Sequence, residues 1–574
     1  MRVWKVLEPE QRPVLNRSLP FPQLAATLLA NRAIIEPSAV EEYLNPDYAK
    51  HLHDPYLFQD MRRVVDRIFI AMAAKQPVVV YGDYDADGVC SSALMALTLQ
   101  ELGANVLEVY LPHRETEGYG LNRAAVERFI GLGVNLLITL DCGTTNRDEV
   151  QLATEGGIDV IVIDHHHVPD GTLGAFALLN PKHPQETYPW PTLSSVGLAF
   201  KTAQALFQER IVRHPEEASR WSTFEKWLLD SVAIATVTDL VPLQGENRTL
   251  LKYGLVVLNK TKRVGLRALV EIMGGTLGKL DAYSIGFQIG PRLNAAGRMN
   301  DASAALELMM CTDEDRARTL AQALEDENRN RQAMTERMAT EARQQAEQYL
   351  SDRVLVVVGD NWSVGLVGLV ASRLLEQFHR PVLVGSRTAR GIVGSGRSIS
   401  AFNIIESLHT MPDLFVKFGG HAQACGFTLK NEAAISELRA RLNILAHQKL
   451  KDDDLLPVLT IDESLMLKDV QGELLELIRL FEPFGMGNPK PKFLFNAVKA
   501  VSASRVGIKG QHLRLTLSDG EGTVRQAIGF NHGQRGDAIE LGSLLDVVAE
   551  VVANEWHGRV EAQLKVLDFR PAVL

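Results

Sequence analysis

The stretch Val78-Val79-Val80-Tyr81-Gly82-Asp83-Tyr84-Asp85-Ala86-Asp87-Gly88, continued by Val89-Cys90-Ser91-Ser92-Ala93-Leu94-Met95, decides the fold of this chain. A β-branched run that breaks into alternating carboxylates and then into an apolar helical pattern predicts a buried strand, a tight turn and a helix. Three aspartates then crowd one strand end. Carboxylates that close repel one another and raise each other's pKa unless cations neutralise them, and hard oxygen donors suit Mg²⁺ or Mn²⁺. An Asp-Gly turn carrying a solvated acidic loop would read the same way, so this stretch alone leaves both readings open.

Strand and helix alternate around it. Met61 to Ala74 has helical periodicity, Asn105 to Tyr110 reads as a strand, Ala124 to Gly131 as a helix, and Leu136 to Leu140 and Asp159 to Ile163 as further strands. That rhythm predicts a parallel α/β sheet, whose ligands sit beyond the carboxyl ends of its strands. At those ends stand Asp141 and Asp164-His165-His166-His167. A carboxylate followed by imidazoles at a ligand edge favours a metal or phosphate site over an ordinary structural histidine. Asp239 closes the apolar stretch Val232 to Thr238, a helix or strand whose C-terminal end would reach the same edge.

With 574 residues the chain is too long for one core, so three or four domains are expected. A composition of 46% hydrophobic and 23% charged residues is that of a soluble globular protein, and no apolar run is long enough to span a bilayer. The first residues carry acids and a proline where a signal peptide needs an apolar core, so a cytoplasmic location is expected. Cys90, Cys142, Cys311 and Cys425 form no CxxC pair, which indicates neither a disulfide framework nor a zinc site. The net charge of −10 argues against a chain that coats nucleic acid. A local basic groove beside metal-neutralised acids remains compatible with it.

Residues 1–50 read as an irregular N-terminal arm packed on the first domain. Pro291 to Arg298 reads as a loop. Thr312 to Leu350, without Pro or Gly, predicts one helix of about 55 Å, capped at Thr312 and joining two lobes. A second α/β unit follows, with Gly391 to Ser398 as a glycine-rich turn whose N–H, hydroxyl and guanidinium donors suit phosphate. A charged linker near Lys449 to Asp454 leads to short alternating strands that predict a small β-barrel. Arg505, Lys509, Arg514, Phe530, His532, Trp556 and Arg559 are its candidates for holding a single strand.

The set Gly82 to Gly88, Asp141-Cys142-Gly143, Asp164-His165-His166 and Thr238-Asp239 resembles the DHH phosphoesterase superfamily. Its order and spacing are similar to the bacterial RecJ family of single-strand-specific exonucleases, as are Glu117 to Leu121, Pro291 to Arg298, Gly394 to Ser398 and Phe418 to Ala422. The resemblance implies an α/β multidomain chain. Its expected parts are a parallel-sheet DHH catalytic domain over 51–310, a connecting helix over 311–350, a DHH-associated substrate-binding domain over 351–450 and an OB-fold barrel over 451–574. It implies 5′-to-3′ hydrolysis of single-stranded DNA in recombination and repair, by two divalent cations, Mn²⁺ or Mg²⁺. Asp85, Asp87, Asp141, His165 and Asp239 are the expected ligands, with Asp83 a further ligand or an acid that orients them, and His166 touching the phosphate or passing a proton. Arg114, Arg298, Ser395, Arg397, Gly420 and His421 are the expected 5′-phosphate and DNA contacts. A monomer is expected, cooperating with a single-strand-binding protein and a helicase and not with a membrane. The alternative is a DHH phosphodiesterase acting on short oligonucleotides or cyclic dinucleotides, which would not need the barrel. One position departs from the family pattern: Ser363 stands in Trp362-Ser363-Val364-Gly365, where a histidine is usual.

Overall fold

The structure, a computed structural model, describes residues 2–15, 19–114, 116–299, 301–389, 391–556 and 559–572. In the first lobe, five parallel strands lie in the order Val106–Tyr110, Val78–Gly82, Leu136–Leu140, Asp159–Ile163, Ala177–Leu179. Val78–Gly82 and Leu136–Leu140 are buried throughout, as β-branched strands covered on both faces must be. The register pairs Gly82 with Leu140 and Leu140 with Ile163. The next residues, Asp83, Asp141 and Asp164, therefore leave the sheet along one edge.

The helix Ala86–Leu102 follows the acidic loop, and its small residues let it bury nearly all round. It packs on Ser195–Arg213 and Leu229–Thr238, so the stretch ending at Asp239 is helical. Pro291 to Arg298, expected as a loop, belongs to the helix Gly290–Met299. Pro291 sits where the π-helical turn Ile285–Ile289 passes directly into this helix, and burial of Leu293, Ala295 and Ala296 holds the segment.

The connecting helix spans Glu314–Ala346, 33 residues or about 50 Å, shorter at both ends than the expected Thr312 to Leu350. Its cap is Asp313, whose carboxylate accepts from the Arg316 N–H at 2.7 Å. Ala317, Leu320, Ala321 and Leu324 join the core of the first lobe, whereas Met338, Ala339, Ala342 and Ala346 join that of the second. One apolar stripe thus anchors both lobes to a single rod.

The second lobe holds a mixed sheet in the order Phe415–His421, Ala424–Leu429, Gly391–Arg397, Val382–Thr388, Leu355–Asp360. Gly391 to Arg397, expected as a turn, is a strand paired on both sides. Its glycines serve packing: a Cβ at Gly394 would lie 2.2 Å from the Phe427 ring. The helix Ala433–Lys449 runs to the start of the expected charged linker, followed by the 3₁₀ turn Asp452–Leu455.

The C-terminal strands close into a barrel in the order Phe493–Val506, His512–Ser518, Val524–Gly529, Arg559–Pro571, Leu544–Trp556, and back to the first. Short strands are expected there, yet three of them run 13 or 14 residues. Register shifts between Phe495 and Val498 and between Ala500 and Ser502 bend Phe493–Val506, so one strand serves two neighbours.

The arm also departs from expectation. Val3–Val6 pairs in parallel with Val458–Ile461, and Leu24, Leu28, Leu29, Tyr43 and Leu44 join the core of the barrel domain. The apolar stripe of the arm meets the helix Gly472–Leu480 and the barrel, and the arm also packs on the first lobe, where Tyr48 joins its core and donates through its hydroxyl to Glu225. Buried Arg248 of the first lobe donates to the carbonyls of Tyr43, Leu480, Phe481 and Glu482, tying arm, barrel domain and catalytic lobe together. Among the described residues, no helix is long and apolar enough to cross a membrane.

Candidate metal centre and phosphate cleft

Each acid at the sheet edge is fixed by backbone groups. Asp85 caps the helix Ala86–Leu102, accepting from the N–H groups of Asp87 at 2.9 Å and Gly88 at 3.1 Å. The Asp87 carboxylate accepts from Ser195 N at 2.7 Å and Val196 N at 2.8 Å, at the start of the helix Ser195–Arg213. Asp141, in the left-handed region at φ 62°, accepts from the Ser195 hydroxyl at 3.0 Å. Asp239 ends the helix Leu229–Thr238, where the dipole disfavours a negative charge. The Asn294 side chain accepts from Ala86 N at 2.8 Å and so pins the acidic loop to the helix Gly290–Met299.

The donor atoms fall into overlapping clusters, each within 4.8 Å: Asp83, Asp85 and Asp141; Asp87, His165 and Asp239; and Asp141, His165 and His166. The six expected ligands are thus brought together as two triads, linked through Asp141 and His165, whose Oδ1 and Nε2 lie 3.3 Å apart. Asp83 Oδ1, His165 Nε2 and Asp239 Oδ2 are buried with no hydrogen-bond partner. An orphaned buried polar atom costs about 1–3 kcal/mol, and each triad holds at least one, Asp83 in the first and His165 and Asp239 in the second, so both are donor sets that could hold a cation.

The electrostatics agree. Burial first, and then neighbouring carboxylates, push Asp83, Asp141 and Asp239 well above the usual carboxylate range and Asp87 up to about 7. Burial and the neighbouring His166 hold the His165 imidazole down to about 3, leaving it neutral, the form that could ligate a cation.

Asp164 stands beside the histidines in the sequence pattern without an expected role, and the structure supplies one. It accepts from the backbone N–H groups of His165, His166 and Thr144, and its Oδ1 lies 2.7 Å from His166 Nδ1. Burial would raise its pKa, but the hydrogen bonds from His166 and Thr144 and the imidazole charges outweigh it and hold Asp164 ionised. Burial lowers His166 in turn, and the Asp164 bond more than offsets this and raises it. Sequence reasoning also misses Tyr119 and Ser195: the Tyr119 hydroxyl lies 3.0 Å from His166 Nδ1 and donates to the Asp141 carbonyl at 3.2 Å. Tyr119 lies in the stretch Glu117 to Leu121 that carries the family resemblance, without a role assigned to it, and nothing around Ser195 marks that residue.

The expected phosphate contacts come from both lobes. Arg114 lies over the Tyr84 ring at 5.0 Å. Arg298 is buried, which with Arg114 nearby pushes its guanidinium down to about 10, and it donates to the Gly365 carbonyl at 3.4 Å. From the second lobe, Arg397 donates to the Ser395 hydroxyl at 2.9 Å and packs against Gly368, in the first turn of the helix Val367–Phe378. Arg298 and Arg397 therefore flank one helix N-terminus, a natural anion site. The cross-strand register aligns His421, Ala424 and Arg397, and beside them Gly420, Cys425 and Gly396.

A cavity of about 960 Å³ opens beside Thr238, Asn294 and Arg298 and extends to Lys490 and Lys565 of the barrel domain. Among the described residues, Arg505, Lys509, Arg514, Phe530, His532 and Arg559, named from the sequence, do not line it. Arg505 is paired with Asp537, Arg514 and Phe530 stand exposed on the barrel, and the Trp556 side chain lies outside the described residues. The cleft sees Lys565 and Glu550 instead.

Three family models match the chain: the DHH family N-terminal domain over 77–236, the DHHA1 domain over 351–448 and the RecJ OB domain over 461–568. A Bacillus subtilis protein named single-stranded-DNA-specific exonuclease RecJ is 38% identical over 98% of this chain and 70% of its own length. Its namesake from Dickeya dadantii is 33% identical over 98% of both chains. The crystal structure of RecJ in complex with Mn²⁺ from Thermus thermophilus superposes with a TM-score of 0.82, at 27% identity, over all of this chain and 80% of that one. With the acidic sheet edge, the second lobe and the closed barrel in one chain, and relatives matched over nearly its whole length, this protein belongs to the RecJ family of single-stranded-DNA-specific exonucleases.

Proposed function

We propose that the chain hydrolyses phosphodiester bonds of single-stranded DNA from the 5′ end, with Asp83, Asp85, Asp87, Asp141, His165 and Asp239 holding two divalent cations, Mn²⁺ or Mg²⁺. The observation that carries this reading is the convergence of those six side chains, three with orphaned buried atoms, on one sheet edge beside a cleft walled by Arg298. When bound, the cations supply Lewis-acid polarisation of the phosphoryl oxygens and make a water acidic enough to attack at neutral pH. Asp164 orients the His166 imidazole and keeps it protonated toward neutral pH, so His166 offers its other ring nitrogen to a phosphate oxygen or a leaving group. Arg114, Arg298, Ser395 and Arg397, with Gly420 and His421 on the same sheet, hold the terminal phosphate between the lobes. The end of the strand is thereby set at a fixed distance from the bond being cut.

The barrel favours a DNA strand over the alternative substrates, short oligonucleotides or cyclic dinucleotides, because neither would reach it. Likeness to the family supports a reading in which the chain acts in recombination and repair in the cytoplasm, as a monomer beside a single-strand-binding protein and a helicase. The test is an Asp141→Asn variant with Mn²⁺. Loss of an outer partner to a metal ligand costs about 10–100-fold, so loss of a ligand shared by two clusters is expected to lower single-strand digestion by about 100-fold or more. Strand binding should persist. Digestion at the parent rate would overturn the assignment.

A further inference from the structure

Tyr283 and Phe287 stack on one another, with ring centroids 4.6 Å apart and planes 25° from parallel, yet they are 63% and 68% exposed. They flank the start of the π-helical turn Ile285–Ile289, which follows the single turn Ala282–Ser284 capped by Asp281. Turns of this kind recur at functional sites. This one is locked to the metal edge, since a Cβ at Gly290 would lie 2.2 Å from Thr238 Cγ2, one residue before Asp239. Both rings line the cavity that Arg298 opens into. The same wall carries cations: Lys490, and Arg331 of the connecting helix, whose Nε is buried without a partner. A stacked aromatic pair left in water, between a proposed phosphate anchor and a wall where Arg331, Arg479, Lys490 and Lys565 stand with Asp281, Glu482 and Glu550, matches the chemistry of an unpaired nucleotide, with a π-face on the base and a charge on the backbone.

We propose that Tyr283 and Phe287 form a base-stacking platform for single-stranded DNA, holding unpaired nucleobases on the stretch of strand between the metal edge and the barrel. The platform rests on the reading of the cleft given above. It favours unpaired strands because a ring can cover a base only when that base is free of its duplex neighbours.

The experiment uses a phosphorothioate-linked single strand in Mn²⁺ with 2-aminopurine placed at each position in turn, beside steady-state digestion of the ordinary strand. In the parent, one or two successive positions should be quenched at least about twofold. Tyr283→Ala with Phe287→Ala should abolish that quenching at those positions alone and raise KM about tenfold, with kcat within twofold, and Tyr283→Phe should retain both signals. Each single alanine variant reads the same quenching if the double variant melts early. Unchanged quenching and KM in these variants would overturn the platform. A parent that leaves single strands intact would instead overturn the proposed function.

Discussion

Chelation should make the stability of the catalytic lobe depend on pH in a direction opposite to that of ordinary ion-paired aspartates. Burial and mutual repulsion place the Asp83, Asp87, Asp141 and Asp239 carboxyls above their unfolded values. The folded chain then holds protons that the unfolded chain has lost. The associated stability is full below the unfolded value and disappears as pH rises through the folded one. For Asp87, lifted from 3.8 to about 7, the slope is about 1.4 kcal/mol per pH unit between those limits. Raising pH from 5.5 to 7 in chelator therefore costs about 2 kcal/mol at this group, or about 4–8 °C in the melting of a lobe of this size. The other three acids, also raised, add slope of the same sign. Saturating Mn²⁺ replaces the protons and should flatten the slope, adding about 2.7 kcal/mol at a hundredfold excess over its dissociation constant. Scanning calorimetry at pH 5.5, 7.0 and 8.5, with chelator or Mn²⁺, measures this directly, and Asp87→Asn should lessen the chelated slope. A chelated lobe that melts higher at pH 8.5 than at 5.5, or a melting point indifferent to Mn²⁺, would refute the reasoning.

Arg298→Ala and Arg397→Ala should each remove charge-assisted bonds worth about 1.5–3 kcal/mol, raising KM for 5′-phosphorylated strands by about 10–150-fold and erasing any preference over 5′-hydroxyl strands, with metal dependence unchanged. The fully buried Lys201–Glu246 pair, 2.5 Å apart, should be intolerant of half-removal: Lys201→Met is expected to destabilise the first lobe by about 3–5 kcal/mol in denaturant titration, and Glu246→Gln added to it should recover part of the loss. Arg248→Ala leaves the Tyr43, Leu480 and Glu482 carbonyls without their guanidinium donor, so the arm and barrel domain should be cut by protease at concentrations that spare the parent.

The metal edge is legible because its signals are local. Val78 to Tyr81 and Leu136 to Leu140 are β-branched and apolar runs with abrupt polar ends, and the rule for parallel sheets then places Asp83, Asp141 and Asp164 together. What the sequence conceals is set by tertiary partners. The stripe formed by Leu24, Leu28 and Leu29 announces burial but not the barrel domain that buries it. Gly391 to Arg397 has the composition of a turn, and pairing on both sides overrides its poor strand propensity. Gly290 and Pro291 read as breakers, yet they lie inside a continuous helical run, just after the π-helical turn Ile285–Ile289. The structural role of Asp164 is invisible in one dimension because it consists of three backbone N–H groups arriving at one carboxylate. On the barrel, strand alternation does not say which outward side chains face the cleft, and these prove to include Lys565 rather than Arg514.

The central claim is that one acidic sheet edge, supplied with divalent cations, cuts single-stranded DNA from its 5′ end. Digestion of the same single strand labelled at its 5′ or its 3′ end, beside a blunt duplex and with Mn²⁺ or chelator, tests it most directly. The account predicts immediate release of the 5′ label as mononucleotide, progressive shortening of the 3′-labelled strand, an intact duplex and no reaction in chelator. Release of the 3′ label first, equal attack on the duplex, or digestion that survives chelation would contradict it.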